Sequence, residues 1–276
     1  MIAPNDPAEV ALIHAGNELL PMYYQTFHEN VADAFNQSVL GMGEAIIKCQ
    51  STYRTHNHID KAMVCDMLEV TGCAYSGNER AADTGFVKLS TAELPPVIRP
   101  LYNESNGIFT ATKGLRVWLG RRGNAIAVSY SGTDPKNVDM VSADIVQLSS
   151  PSTLYLKGAG LLKILLAHFA DKDFLVTGHS LGGGLTQFCV TANIDARPAG
   201  GIVGYAFNPA GLSGISLSYL GPDRLRRAKD SIFAFRTRLD IVSLGGGVVG
   251  TFVTLPMTQH NGHSMTAVRS CLKRYC

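Results

Sequence analysis

The chain has 276 residues, of which 46% are hydrophobic and 17% are charged, so it can bury a sizeable core and is not expected to be disordered. This length is enough for one large domain or two small ones. The net charge of +2 gives no indication of a nucleic-acid partner, and the apolar run at 161–169 is interrupted by Lys163 and His168, which argues against a membrane-spanning helix.

Residues 1–60 are predicted to form a helical extension packed on the main domain. Helical patterns cover 7–20, 24–40 and 44–53. The start of the chain lacks a basic segment followed by an apolar core, so we expect no secretory signal peptide. Localisation therefore stays open between the cytoplasm and export by a system that needs no such signal.

Residues 61–276 are predicted to form a single α/β domain. It opens with an amphipathic helix at 60–77 and a loop at 95–107. Strands then alternate with helices, which is typical of a mostly parallel sheet with helices on both faces. The predicted strands are 115–119, 125–130, 174–177, 201–207, 231–236 and 250–255, the first two forming a hairpin; the predicted helices are 154–169, one beginning at 181, 217–227 and 264–275.

The six cysteines do not show the spacing of a zinc site, and no C-x-x-C motif is present. Cys189 falls on a predicted core helix and is interpreted as a small apolar residue. We expect reduced thiols. The alternative, in an oxidising compartment, is pairing of Cys65 with Cys73 or of Cys271 with Cys276.

One short stretch has the pattern of a catalytic nucleophile. Gly178-His179-Ser180-Leu181-Gly182 is a G-x-S-x-G motif that lies between a predicted strand and a predicted helix. The pentapeptide alone is weak support, but this context is the one that a nucleophile elbow requires, with glycines making room for the sharp turn. Ser180 is therefore the candidate nucleophile.

A serine nucleophile needs a histidine base and a carboxylate that orients it. In hydrolases with this elbow, the acid and then the histidine follow the serine along the chain. Asp240 comes just after the strand at 231–236, at the same sheet edge as the elbow, and is the candidate acid. His263 directly precedes the last helix and is the favoured base, with His260 in the same loop as the alternative.

An oxyanion hole needs two N–H donors. The first candidate is Leu181, the residue after the nucleophile. The second usually comes from the loop after the strand that neighbours the elbow strand. That loop here reads Ser131-Gly132-Thr133-Asp134, and the N–H of Thr133 is the candidate.

These motifs together resemble the class 3 lipase-like α/β-hydrolases, including related bacterial lipase-like proteins. The resemblance runs from about residue 62 to the end. It rests on Ser131–Asp134, on 178–183, on Asp240-Ile241-Val242 and on His263-Ser264-Met265. Ser131 departs from the family pattern, because an arginine is usual at that position. Some secreted bacterial lipase effectors in this family also lack signal peptides.

The resemblance implies an α/β-hydrolase fold and a carboxylic ester hydrolase, lipase- or phospholipase-like, that acts on lipid or other esters through Ser180, Asp240 and His263. We expect no metal or organic cofactor, because the triad chemistry needs none, and no nucleic-acid partner, because the net charge indicates none; peripheral membrane contact and oligomeric state stay open. A lid or acyl-binding surface is expected at 134–153 or 208–228. The alternatives are a non-catalytic scaffold that binds a partner through residues 1–60, and acyl transfer or amide hydrolysis by the same triad.

Overall fold

The computed structural model describes residues 6–19, 59–77, 81–132, 153–197, 200–238, 240, 242–244, 246–255 and 262–273. The helices predicted at 24–40 and 44–53 lie outside these ranges. Helix α1 is Pro7–Glu18 and helix α2 is Lys61–Ser76. Each begins at an aspartate whose side chain accepts an N–H of the first turn, Asp6 from Ala8 and Asp60 from Met63, which is a typical helix cap.

The strands before residue 131 form an antiparallel unit. They are β1 (Val87–Lys88), β2 (Tyr102–Asn103), β3 (Ile108–Thr110), β4 (Arg116–Arg122) and β5 (Ala125–Tyr130). The predicted hairpin at 115–130 is β4 paired with β5. β1, β2 and β3 were not predicted from the sequence, because strands of two or three residues are too short to show an alternating pattern.

Strands and helices alternate in the rest of the described chain. They are α3 (Thr153–His168), β6 (Asp173–His179), α4 (Leu181–Ala192), β7 (Ile202–Phe207), α5 (Gly214–Leu220), α6 (Pro222–Ala228), β8 (Ile232–Arg236), β9 (Thr251–Thr254) and α7 (Met265–Leu272). The single helix predicted at 217–227 is wrong. Two short helices take its place, because Gly221 has a φ of 77° and Pro222 cannot continue a preceding helix.

The strands join into one sheet in the order β2-β3-β4-β5-β6-β7-β8-β9, with β1 also paired to β4. Strands β5 to β9 run parallel to one another, so their carboxyl ends meet at one edge. Helices α1, α3 and α4 pack in the core on one face, and α2 and α7 pack in the core on the other. This architecture confirms the predicted α/β-hydrolase fold.

Helix α1 is joined closely to α3. Gly16 and Gly160 lie at the crossing, and a Cβ on either would overlap a backbone carbonyl of the other helix. Glu9 and Lys157 form a buried ion pair there, and Glu9 also accepts the N–H of Thr112. Burial acts to raise the pKa of Glu9, but the hydrogen bonds from Lys157 and Thr112 more than offset it, so the pKa lies below its ordinary value.

The cysteines differ from expectation at one position. Cys65 is disulfide-bonded, so the expectation that all the cysteines are reduced is wrong. Cys73, Cys189 and Cys271 are buried thiols, so the alternative pairs Cys65–Cys73 and Cys271–Cys276 are wrong as well. Burial raises the pKa of the Cys189 thiol to about 12, as befits a core position. Among the helices that the structure describes, none has the length and apolar character to cross a membrane.

The ion pair between Glu9 and Lys157 gives a stability prediction. Glu9→Gln leaves the Lys157 ammonium buried without a counter-charge and should lower the free energy of unfolding by roughly 3–5 kcal/mol. Glu9→Gln combined with Lys157→Met removes both charges while keeping an acceptor for Thr112, and should recover most of this loss. Urea unfolding measures both variants. A double variant less stable than the single one would contradict the assignment.

Candidate active site

The elbow is a single strained residue between β6 and α4. Strand β6 ends at His179 and helix α4 begins at Leu181, and Ser180 between them has a φ of 60°. A non-glycine residue in this region costs free energy and persists only where its surroundings hold it. Here the Ser180 carbonyl accepts the N–H groups of Gly184 at 3.1 Å and Ala210 at 2.9 Å.

Glycines make this turn physically feasible, as the motif predicts. A Cβ on Gly178 would overlap the backbone of Gly182, and a Cβ on Gly182 would overlap the carbonyl of Tyr130 on β5. A Cβ on Gly183 would lie 2.8 Å from Pro209. The first turn of α4 therefore lies directly against β5, β6 and the loop after β7, and Ser180 is held at the carboxyl edge of the sheet.

The structure brings Ser180, His263 and Asp240 together in one hydrogen-bonded row. The Ser180 Oγ is 2.7 Å from His263 Nε2, and His263 Nδ1 is 2.8 Å from Asp240 Oδ1. Because a carboxylate only accepts, Nδ1 carries the proton, which leaves Nε2 to accept from the serine hydroxyl. Asp240 is buried, whereas the His263 side chain keeps 21% of its surface exposed.

The carboxylate of Asp240 is fixed by two further donors. Its Oδ1 accepts the N–H of Val242 at 3.1 Å, and its Oδ2 accepts the Ser243 hydroxyl in a very short contact. Both donors belong to the short 3₁₀ turn Val242–Leu244 that follows the acid. Ser243 was not found from the sequence, because a serine near an aspartate carries no signal of its own.

The loop that carries His263 is held by side chains at the ends of three neighbouring strands. The Nε2 atom of His179, at the end of β6, is 2.5 Å from the His263 carbonyl oxygen. Asn208, just after β7, donates to the carbonyls of Gly262 at 3.0 Å and His263 at 3.3 Å. Thr237, just after β8, donates to the Gly262 carbonyl at 2.8 Å.

The candidate oxyanion donors are only partly described. Leu181 is the first residue of α4, where the N–H groups of a helix are not used internally. Thr133 lies outside the described residues. Gly132 before it lies against the elbow, since a Cβ there would be 3.2 Å from the Ser180 Cβ. The alternative base His260 lies outside the described residues, as does the lid candidate at 134–153 except for Thr153.

The second lid candidate, 208–228, contributes to the core. Leu212 and Leu220 are buried in the cluster that contains α3 and α4, and Leu217 and Tyr219 pack partly against it.

In the ranges that the structure describes, no cluster of three or more His, Cys, Asp or Glu side chains could bind a metal ion.

His179 gives a pH-dependence prediction. Burial and, to a smaller extent, the neighbouring His263 ring, with a centroid 4.9 Å away, together lower its pKa from 6.5 to about 4. Between these two pH values the unfolded chain binds a proton at this residue and the folded chain does not, so stability falls as the pH falls, by about 3 kcal/mol in total. The glutamine in His179→Gln does not titrate, so this variant should lack the part of the stability loss at low pH that comes from residue 179.

The measurement is urea unfolding at several pH values from 7 to 4, for both proteins. All other titrating groups are common to the two, so the difference between their curves isolates His179. Parallel curves would show that the buried ring binds its proton as readily in the folded protein as in the unfolded chain.

Comparisons with known proteins give one family match and several similar solved structures. The family model described as a Phospholipase-like, Tle-like phospholipase domain matches residues 67–270. A search among curated proteins gives no match. Similar solved structures include a Penicillium expansum triacylglycerol lipase, with 16% identity over 77% of this chain and 88% of that one at a TM-score of 0.45. Yarrowia lipolytica Lip2 lipase shows 13% identity over 76% and 84% at 0.47, and Rhizomucor miehei lipase with its propeptide shows 12% over 75% and 71% at 0.49.

The family match covers most of the chain, including Ser180, Asp240 and His263. It confirms the resemblance to a lipase-like α/β-hydrolase that the sequence motifs indicated. The chain belongs to the Tle-like phospholipase domain family and is a carboxylic ester hydrolase.

Proposed function

We propose that this protein hydrolyses carboxylic esters of lipids, phospholipids first among them, through a Ser180–His263–Asp240 triad and an acyl-enzyme. The observation that carries the triad is the row of two hydrogen bonds, 2.7 and 2.8 Å long, from the serine hydroxyl to the carboxylate. The lipid class of the substrate is supported by membership in a phospholipase-like family.

The reaction begins at the Ser180 hydroxyl. Its Oγ attacks the acyl carbonyl carbon while its proton passes to His263 Nε2, which is already within hydrogen-bonding distance. The imidazolium that forms is stabilised by the Asp240 carboxylate at Nδ1. As the tetrahedral intermediate collapses, the ester C–O bond breaks and the leaving alcohol takes the proton from Nε2.

Water completes the cycle. Nε2 takes a proton from a water molecule, the resulting hydroxide attacks the acyl-serine carbonyl, and the carboxylic acid leaves as Ser180 regains its proton. In both halves of the reaction, the oxyanion accepts hydrogen bonds from the N–H of Leu181, at the positive end of α4, and from the N–H of Thr133. No step requires a metal or an organic cofactor.

Removing the nucleophile tests the reaction. Ser180→Ala should lower the rate of ester hydrolysis by roughly 10⁴–10⁶-fold, because the remaining groups cannot form an acyl-enzyme. The assay measures fatty-acid release from phospholipid–detergent micelles, an emulsified triacylglycerol and a soluble short-chain ester. A fluorophosphonate probe should label the wild-type protein at Ser180 and leave the variant unlabelled.

The outcomes separate the two parts of the proposal. Turnover of the soluble ester alone would overturn the lipid substrate and leave the triad intact. An unlabelled Ser180 in folded wild-type protein, or full activity in the alanine variant, would overturn the triad.

The carboxylate has a prediction of its own. Asp240→Asn keeps the size of the side chain but presents an amide to His263, which favours the wrong tautomer and should lower kcat by about 10⁴-fold. Ser243→Ala removes only one donor to the carboxylate and should cost far less, roughly 3–10-fold. Steady-state kinetics with the soluble ester measures both. Full activity in Asp240→Asn would show that the side chain acts only by filling space.

A further inference from the structure

We propose that Tyr75 and His179 are positioning residues that join the oxyanion loop, the elbow and the loop of the catalytic histidine through one hydrogen-bonded chain. The inference rests on the proposed function for its kinetic consequences and on geometry for its existence. Neither side chain is part of the triad. Tyr75 lies near the end of α2, about 100 residues before the elbow in the sequence.

The first part of the chain is the contact between Tyr75 and the oxyanion loop. The N–H of Gly132 donates to the Tyr75 hydroxyl oxygen at 2.9 Å. Burial raises the pKa of Tyr75 to about 12, so the group remains a hydroxyl with one proton. Because its oxygen accepts from Gly132, that proton points to the other neighbours, the His179 carbonyl oxygen at 3.3 Å and Nδ1 at 3.5 Å.

The second part is the contact between His179 and the loop of the base. Its Nε2 is 2.5 Å from the His263 carbonyl oxygen. A carbonyl oxygen can only accept, so Nε2 carries the ring proton and Nδ1 of the neutral ring is an acceptor that faces the Tyr75 hydroxyl. All the donors therefore point the same way, from Gly132 through Tyr75 and His179 to His263.

The position of this chain explains why it should affect the reaction. Gly132 directly precedes the candidate oxyanion donor Thr133, His179 directly precedes the nucleophile, and His263 is the base. A shift at any member moves two catalytic groups relative to each other. The imidazolium formed at His263 lies one ring away, with centroids 4.9 Å apart, so an uncharged His179 avoids repulsion at the moment the proton is transferred.

An arginine on β4 fixes the end of the hydrogen-bonded chain at which Tyr75 and the oxyanion loop lie. Arg116 donates through Nε to the carbonyl of Ala74 at 2.7 Å and through Nη2 to the carbonyl of Tyr75 at 3.4 Å. Its own carbonyl accepts the N–H of Ser131 at 2.9 Å. One residue thus ties the end of α2 to the oxyanion loop.

Two amide substitutions at one position provide a matched test. In His179→Gln the amide nitrogen can occupy the place of Nε2 and keep the donation to the His263 carbonyl. In His179→Asn the shorter amide reaches only the place of Nδ1 and loses it. With the soluble ester, His179→Asn should lower kcat roughly 10–100-fold with KM changed less than about threefold, and His179→Gln should stay within about fivefold of wild type.

Tyr75→Phe should lower kcat by roughly 10-fold, and its combination with His179→Asn should cost less than the product of the two single losses, because both break the same chain. Tyr102→Phe is the control. Its hydroxyl is also buried and donates to a backbone carbonyl, that of Leu89, but it lies away from the elbow, so kcat should be unchanged. Unfolding curves establish that each variant is folded.

A measurement that needs no turnover separates this inference from the proposed function. The Nδ1 proton of His263, held between the ring and Asp240, gives a low-field proton NMR signal when the ring is fixed. We expect this signal in the wild type, Tyr102→Phe and His179→Gln, and its broadening or loss in His179→Asn. If the wild-type protein hydrolyses no ester, the proposed function fails, while this comparison still decides the positioning role.

Two results would overturn the inference. One is a His263 signal in His179→Asn that is unchanged from that of the wild type. The other is an equal loss of activity in His179→Asn and His179→Gln, which would mean that the ring only fills space.

Discussion

The close contact between the start of α4 and strands β5 and β6 determines the rest of the site. No side chain fits at residues 178 and 182, so the chain turns within a single residue, and that residue is Ser180. Its backbone conformation costs of order 1–3 kcal/mol. The bonds from Gly184 and Ala210 to its carbonyl hold it in place. The Ser180 side chain is thus oriented by backbone packing, before any other side chain acts on it.

The parallel half of the sheet supplies the remaining groups. Because β6, β7 and β8 are neighbours with their carboxyl ends at one edge, His179, Asn208 and Thr237 lie side by side there. All three bind backbone carbonyls of residues 262 and 263. Asn208 adopts a φ of 41°, a second strained residue at this edge. His263 therefore lies on a loop that side chains at three strand ends hold by polar contacts.

Much of this could be predicted from the sequence because local patterns encode it. The strand, glycine turn and helix around Ser180 are contiguous, and the order of acid and histidine leaves few candidates. Tyr75 and Asn208 could not be found in this way, since they act on backbone atoms of residues remote in sequence. The dipeptide Gly221-Pro222 indicates the end of one helix and the start of another, so the two helices at this point could have been predicted in place of a single helix at 217–227. The role of Thr133 and the boundary at residue 60 stay predictions.

Helix α1 shares a core with the sheet, through Ala8 and Leu12, and meets α3 at two glycines and an ion pair. The charges at positions 9 and 157 depend on each other, and the glycines at 16 and 160 depend on the close approach of the two helix backbones. In a homologue that lacks this helix, a larger residue could replace Gly160 and an uncharged residue could replace Lys157. Joint substitution at these two positions would therefore indicate, from sequence alone, that the helix is absent.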